Sequence, residues 1–180
     1  MTLHLFVDRT PTPIGMLTLV ADTEDRLRVV GWDDRESRLL DSLRLQYGAD
    51  GFVLEPKRNP GGLTAAMDAY FAGELSAIES LRVETRGTAF QQTVWSALRE
   101  IPCGTTWSYS DLARRIGRPS AVRAVGLANG ANPVGVVVPC HRVIGADGSL
   151  TGYGGGIERK RWLLAHEGQR APLLFADPGT

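Results

Sequence analysis

The sequence predicts an α/β N-terminal domain with a small antiparallel sheet, followed by a mainly α C-terminal domain containing a helix-turn-helix. Three observations carry this reading. Short apolar runs separated by turn residues fill the first third. Apolar residues at helical spacing take over after residue 88. The sign of the charge also changes between the halves: residues 1–86 hold 10 Arg/Lys against 14 Asp/Glu, or −4, and residues 87–170 hold 10 against 5, or +5. A basic second half suits a polyanionic partner, although ordinary domains show such asymmetry as well.

Taken in order, residues 3–7, 16–21 and 27–31 read as strands of an antiparallel meander, the first pair joined through Pro11-Thr12-Pro13-Ile14-Gly15. A helix is predicted over 36–47, with Leu39, Leu40 and Leu43 on one side, and another over 63–71, ended by Gly73. Between them, residues 48–62 carry two Pro and four Gly and read as loop. The domains are then 1–86 and 87–170, with a tail at 171–180. In the second domain, Phe90, Val94, Trp95, Leu98 and Ile101 share a helix face before Pro102-Cys103-Gly104 stops it. Ser108-Tyr109-Ser110-Asp111 fits a capping box that opens a short helix to Ile116, closed at Gly117. Pro119 suits a first helical position, and a second helix is expected from there to about Asn129. Two short helices joined by a tight turn form either a DNA-binding helix-turn-helix or a plain packing unit.

With 180 residues, 43% of them apolar, the chain is one compact unit or two small ones. The longest apolar run, 134–139, is too short to span a bilayer, and Asp8 interrupts what a secretory leader would keep apolar, so a cytoplasmic protein without membrane contact is expected. Two cysteines and three histidines offer neither a disulfide framework nor a zinc cluster, so no metal is expected.

The most informative stretch is Val136-Val137-Val138-Pro139-Cys140-His141. It reads as an apolar strand ending in a proline that cannot donate to a neighbour. Adjacent strand residues point to opposite faces, so Cys140 and His141 cooperate only if the backbone bends or a water connects them. One reading is a thiolate activated by imidazole. The other is a buried cysteine beside a surface histidine, and the dipeptide alone favours it, because free cysteine is among the most buried residue types.

The wider pattern shifts that balance. Pro139-Cys140-His141-Arg142-Val143-Ile144, with Asn132-Pro133-Val134 before it, Gly152-Tyr153-Gly154-Gly155-Gly156 after it and Leu163-Leu164-Ala165-His166-Glu167-Gly168 beyond, closely resembles the O6-alkylguanine-DNA alkyltransferases, the suicide repair proteins also called methylated-DNA–protein-cysteine methyltransferases. The likeness runs from about residue 88 to 168; the first half matches only in layout, for which the resemblance implies a ribonuclease H-like domain.

The resemblance implies single-turnover transfer of an alkyl group from O6-alkylguanine, and O4-alkylthymine, in double-stranded DNA to Cys140. His141 and Glu167 would complete its activating network, and Asn132 would link the recognition helix to the active-site turn. Arg123 would fill the space left by a flipped base. Tyr109 would crowd the 3′ phosphate and donate to the leaving guanine. Ala121, Ala124 and Gly126 would allow close approach of the second helix to the minor groove, and Val143, Tyr153 and Gly154 would line the alkylguanine pocket. Many relatives carry a hydroxyl or a bulkier side chain where Gly154 stands, so a hydrogen bond to O6 is expected to be missing and bulky adducts to enter more easily. The zinc ligands of some eukaryotic relatives are absent, and no cofactor is implied. A monomer is expected, with cooperation along DNA left open. The alternative is a DNA-binding alkyl-damage sensor or regulator without repair turnover, but alkyltransferase-like binding proteins carry Trp in place of the acceptor cysteine. A cysteine hydrolase would differ by turning over repeatedly.

Overall fold

The computed structural model describes residues 1–168, so the tail expected at 171–180 lies outside the described residues. Two compact units emerge among the described residues, Met1–Gly87 with Pro133–Val137, and Thr88–Asn132 with residues 138–168. In the first unit, β1 (Leu3–Thr12) and β2 (Gly15–Asp22) form a hairpin, and β3 (Leu27–Trp32) lies antiparallel to β2. The helix α1 (Glu36–Tyr47) covers this sheet. Leu39, Leu43 and Tyr47 on it meet Leu5, Val20 and Val29, each such burial contributing about 1.5–3 kcal/mol. A second helix, α2 (Leu63–Phe71), buries Leu63, Met67 and Tyr70.

The sheet is mixed rather than antiparallel. A fourth strand, β4 (Phe52–Pro56), pairs in parallel with β1 from Leu3↔Phe52 to Val7↔Pro56, giving the order β3-β2-β1-β4. It lies inside the segment expected as loop. Gly and Pro density masked a short apolar triplet, of which Phe52 and Leu54 pack against the core, and Pro56 occupies the last strand position, where a missing N–H costs little.

The strand expected at 136–138 does not form. Pro133 and Gly135 bond across to Val30, with Val30 N–H donating to Pro133 O at 3.0 Å and Gly135 N–H to Val30 O at 3.1 Å. The chain then turns sharply: Val136 adopts φ +69°, a left-handed conformation unfavourable for a β-branched residue, and Val137 N–H donates to Gly135 O at 2.8 Å. The run is apolar because it is buried, not because it is extended.

The second unit is mainly helical. Thr88 and Gln91 cap α3 (Ala89–Leu98) reciprocally, and Ser108 and Asp111 do the same for α4 (Tyr109–Arg115), as Ser-x-x-Asp predicts. α3 ends at Leu98, short of Ile101, which is nevertheless buried. The next helix, α5, spans Val122–Gly130 and starts later than Pro119. Ala121 N–H bonds to Arg118 O at 2.9 Å, a turn whose second position suits the fixed φ of Pro119 as well as a first helical position would. The buried Trp95 indole donates to Ala128 O at 2.9 Å and ties α3 to α5. Two-residue strands β5 (Trp107–Ser108) and β6 (Val143–Ile144) pair in parallel, and α6 (Ile157–His166) closes the unit. No helix among the described residues is long and apolar enough to cross a membrane.

Candidate active site

Cys140, His141 and Arg142 form one turn of 3-10 helix, all three buried. The backbone therefore bends, which removes the strand geometry that would have set Cys140 and His141 on opposite faces. Val138 O anchors the turn twice, accepting from Cys140 N–H and from the Asn132 amide Nδ2, each at 2.8 Å. Asn132, just past the end of α5, thus connects that helix to the turn.

Glu167 follows α6 and is almost fully buried. Its carboxylate accepts from His141 Nε2 at 2.9 Å, from Arg142 Nε at 2.9 Å and from Arg142 Nη2 at 2.8 Å, while Arg142 Nη1 donates to Ile101 O at 2.8 Å. Burial alone would raise this carboxyl, but the histidine and the forked guanidinium hold it ionised, well below the usual carboxylate range. Burial keeps His141 neutral, outweighing the pull of Glu167. With Nε2 donating to the carboxylate, Nδ1 is an acceptor, and it has no hydrogen-bond partner among the described residues. A neutral imidazole oriented by a carboxylate, with an acceptor nitrogen left over, has the chemistry to take up a proton.

Lys160 is 0% exposed, and its ammonium donates to Val143 O at 2.6 Å and Thr151 O at 2.9 Å. Burial lowers it to about 8, opposed by its interaction with Cys140. It remains charged at neutral pH and favours an anion at the sulfur. The Tyr109 hydroxyl, at the first position of α4, donates to the same Thr151 carbonyl at 3.2 Å. Val143 is fully buried after the cysteine turn, while Tyr153 and Gly154 are half-buried on the segment before α6. Arg123 and Ala124 are exposed on α5, Ala121 is half-exposed just before it, and Gly126 faces the Tyr109 ring, where an added Cβ would lie 3.8 Å away.

The structure thus brings Cys140, His141, Glu167 and Asn132 together, and Tyr109 is bonded to the loop held by Lys160. Arg142 and Lys160 are the two site residues that sequence reasoning missed. Lys160 had a legible signal. It recurs with Leu163, Leu164 and Glu167 at i, i+3, i+4 and i+7, so a charged residue interrupts the buried stripe of α6 and another continues it just past the helix end.

Residues 89–169 match the model of the 6-O-methylguanine DNA methyltransferase DNA-binding domain. A methylated-DNA–protein-cysteine methyltransferase of Salmonella typhimurium is 50% identical over 166 residues, 92% of this chain and 97% of that protein. The chain belongs to the methylated-DNA–protein-cysteine methyltransferase family. Among solved structures of this methyltransferase fold, the Mycobacterium tuberculosis O6-methylguanine methyltransferase is 43% identical and superposes with a TM-score of 0.75 over 93% of this chain and 95% of that one. The Mycobacterium tuberculosis OGT in complex with DNA gives 45% identity and a TM-score of 0.75 over 94% and 96%.

Proposed function

We propose that this methyltransferase repairs DNA by direct reversal, with Cys140 as the acceptor of the alkyl group from O6-alkylguanine in duplex DNA. The observation that carries the reading is the buried Glu167–His141 pair, whose Nδ1 has no hydrogen-bond partner among the described residues and whose histidine sits on the 3-10 turn that also holds the thiol. The thiol proton passes to His141 Nδ1, directly or through a water. The thiolate attacks the alkyl carbon, the S–C bond forms as the C–O6 bond breaks, and the electron pair withdraws into the guanine, which regains a proton at N1. The product is a thioether with no second nucleophile to remove it, so each molecule acts once.

A guanine O6 lies within the base stack, so the nucleotide rotates out to meet Cys140. In this reading α4 and α5 form a helix-turn-helix, Arg123 fills the vacated stack and Tyr109 leaves the Thr151 carbonyl to assist rotation and meet the base. Val143, Tyr153 and Gly154 bound the pocket, and Ala121, Ala124 and Gly126 let α5 approach the minor groove. The first unit is read as a ribonuclease H-like support, and the protein as a cytoplasmic monomer. The presence of Cys140 at the acceptor position favours repair over a sensor.

The test is substitution of each cysteine in turn. Cys140→Ser abolishes transfer from a methylated duplex while binding persists, and Cys103→Ala transfers normally. Transfer by the Cys140→Ser protein, or its loss in Cys103→Ala, would overturn the assignment.

A further inference from the structure

The outer face of α5 carries a side chain that the proposed chemistry leaves unused. Arg123, Ala124, Leu127 and Gly130 share this face at i, i+1, i+4 and i+7. Leu127 is 74% exposed, a large apolar side chain standing in water in the middle of a nine-residue helix. Its surroundings are basic. No carboxylate occurs in the sequence between Asp111 and Asp147, and the exposed guanidiniums of Arg118 and Arg123 form no ion pair among the described residues. Cationic groups left unpaired beside an exposed leucine fit one occupant best, a polyanion that also offers apolar surface, and duplex DNA presents deoxyribose rings and base edges along its minor groove.

We propose that Leu127 is a second DNA-contacting wedge, pressing on the sugars and base edges of the minor groove about 6 Å along α5 from Arg123, four residues at 1.5 Å each. This rests on the reading of α5 as the helix that meets DNA. Arg123 supplies charge and a planar group for the gap, and Leu127 covers the adjoining apolar surface and excludes water from it. Removing an exposed leucine leaves no cavity in the protein, and alanine is a stronger helix former, so Leu127→Ala retains the fold.

The experiment compares transfer rates of wild type, Leu127→Ala and Arg118→Ala on a duplex oligonucleotide containing O6-methylguanine and on free O6-benzylguanine, at 50 and 200 mM salt. The wedge predicts that Leu127→Ala lowers the duplex rate at subsaturating protein about tenfold more than the free-base rate, as expected for one leucine side chain lost from an apolar contact. The loss should be alike at both salt concentrations, whereas the Arg118→Ala loss shrinks as salt rises. An unchanged duplex rate, an equal loss on both substrates, or a loss that vanishes at high salt would overturn the proposal. So would DNA-free wild type that self-associates in sedimentation and loses that association in Leu127→Ala, which would make a second copy the occupant. Failure of the wild type itself to transfer from DNA would instead overturn the underlying functional reading.

Discussion

Glu167 meets three donors from two residues, and that crowding fixes how the site behaves with pH. Its carboxyl is depressed in the folded protein relative to an ordinary 4.5, so the unfolded chain binds the proton more readily and stability falls as pH drops below about 4.5. His141 is also depressed, from an ordinary 6.5, by burial against the pull of Glu167, so an earlier loss of stability begins below about pH 6.5. Lys160, lowered from 10.5 to about 8, has the same sign: the unfolded chain holds its proton more tightly, and stability rises as pH increases from 8 towards 10.5. Denaturant unfolding across pH checks all three, with His141→Gln removing the slope below 6.5 and Lys160→Met removing the alkaline rise. Glu167→Gln removes the carboxylate that pairs with the buried Arg142 guanidinium and is expected to cost about 3–5 kcal/mol while slowing transfer.

At the scale of elements, the capped helix α4 and the uncapped helix α5 have different parts in the proposed reaction. Ser108 and Asp111 fix the start of α4, and with it Tyr109, while α5 presents Arg123 to solvent. Arg123→Ala is expected to slow repair of duplex DNA much more than reaction with free O6-benzylguanine, because only the duplex requires a flipped base to be replaced in the stack. Rates on both substrates in one buffer check this, and an equal loss on both would assign Arg123 to the fold or pocket. The helix α4 was legible because its capping box is a local signal, whereas α5 was expected from Pro119 and starts only at Val122. The strand β4 and the turn at Val136 were not. Phe52 and Leu54 are extended because β1 offers a free edge, and Val136 is left-handed because its neighbours bond to Val30, and both causes lie far away in sequence. For the same reason Cys140, His141 and Glu167 became a candidate site through motif resemblance, whereas Arg142 shows its partners only in its bonds, and Lys160 was marked only by a charge at a buried-stripe spacing.

For the molecule as a whole, the thioether product should be less stable than the free protein. Cys140 is buried, and overpacking a tight site costs about 1–3 kcal/mol. Alkylation also deprives the buried Lys160 ammonium of the sulfur anion it favours, leaving it with a poorer partner. The melting temperature should therefore fall after methyl transfer once DNA is removed, and fall further after benzyl transfer; an unchanged or raised value would contradict the strain argument. The central claim is single-turnover acceptance at Cys140, and the direct measurement is transfer of an isotopically labelled methyl group from excess O6-methylguanine duplex, followed by peptide mass analysis. One label per protein molecule, on the peptide containing Cys140 and with no further release, is the predicted result. Continued turnover, or label on Cys103 or any residue other than Cys140, would contradict it.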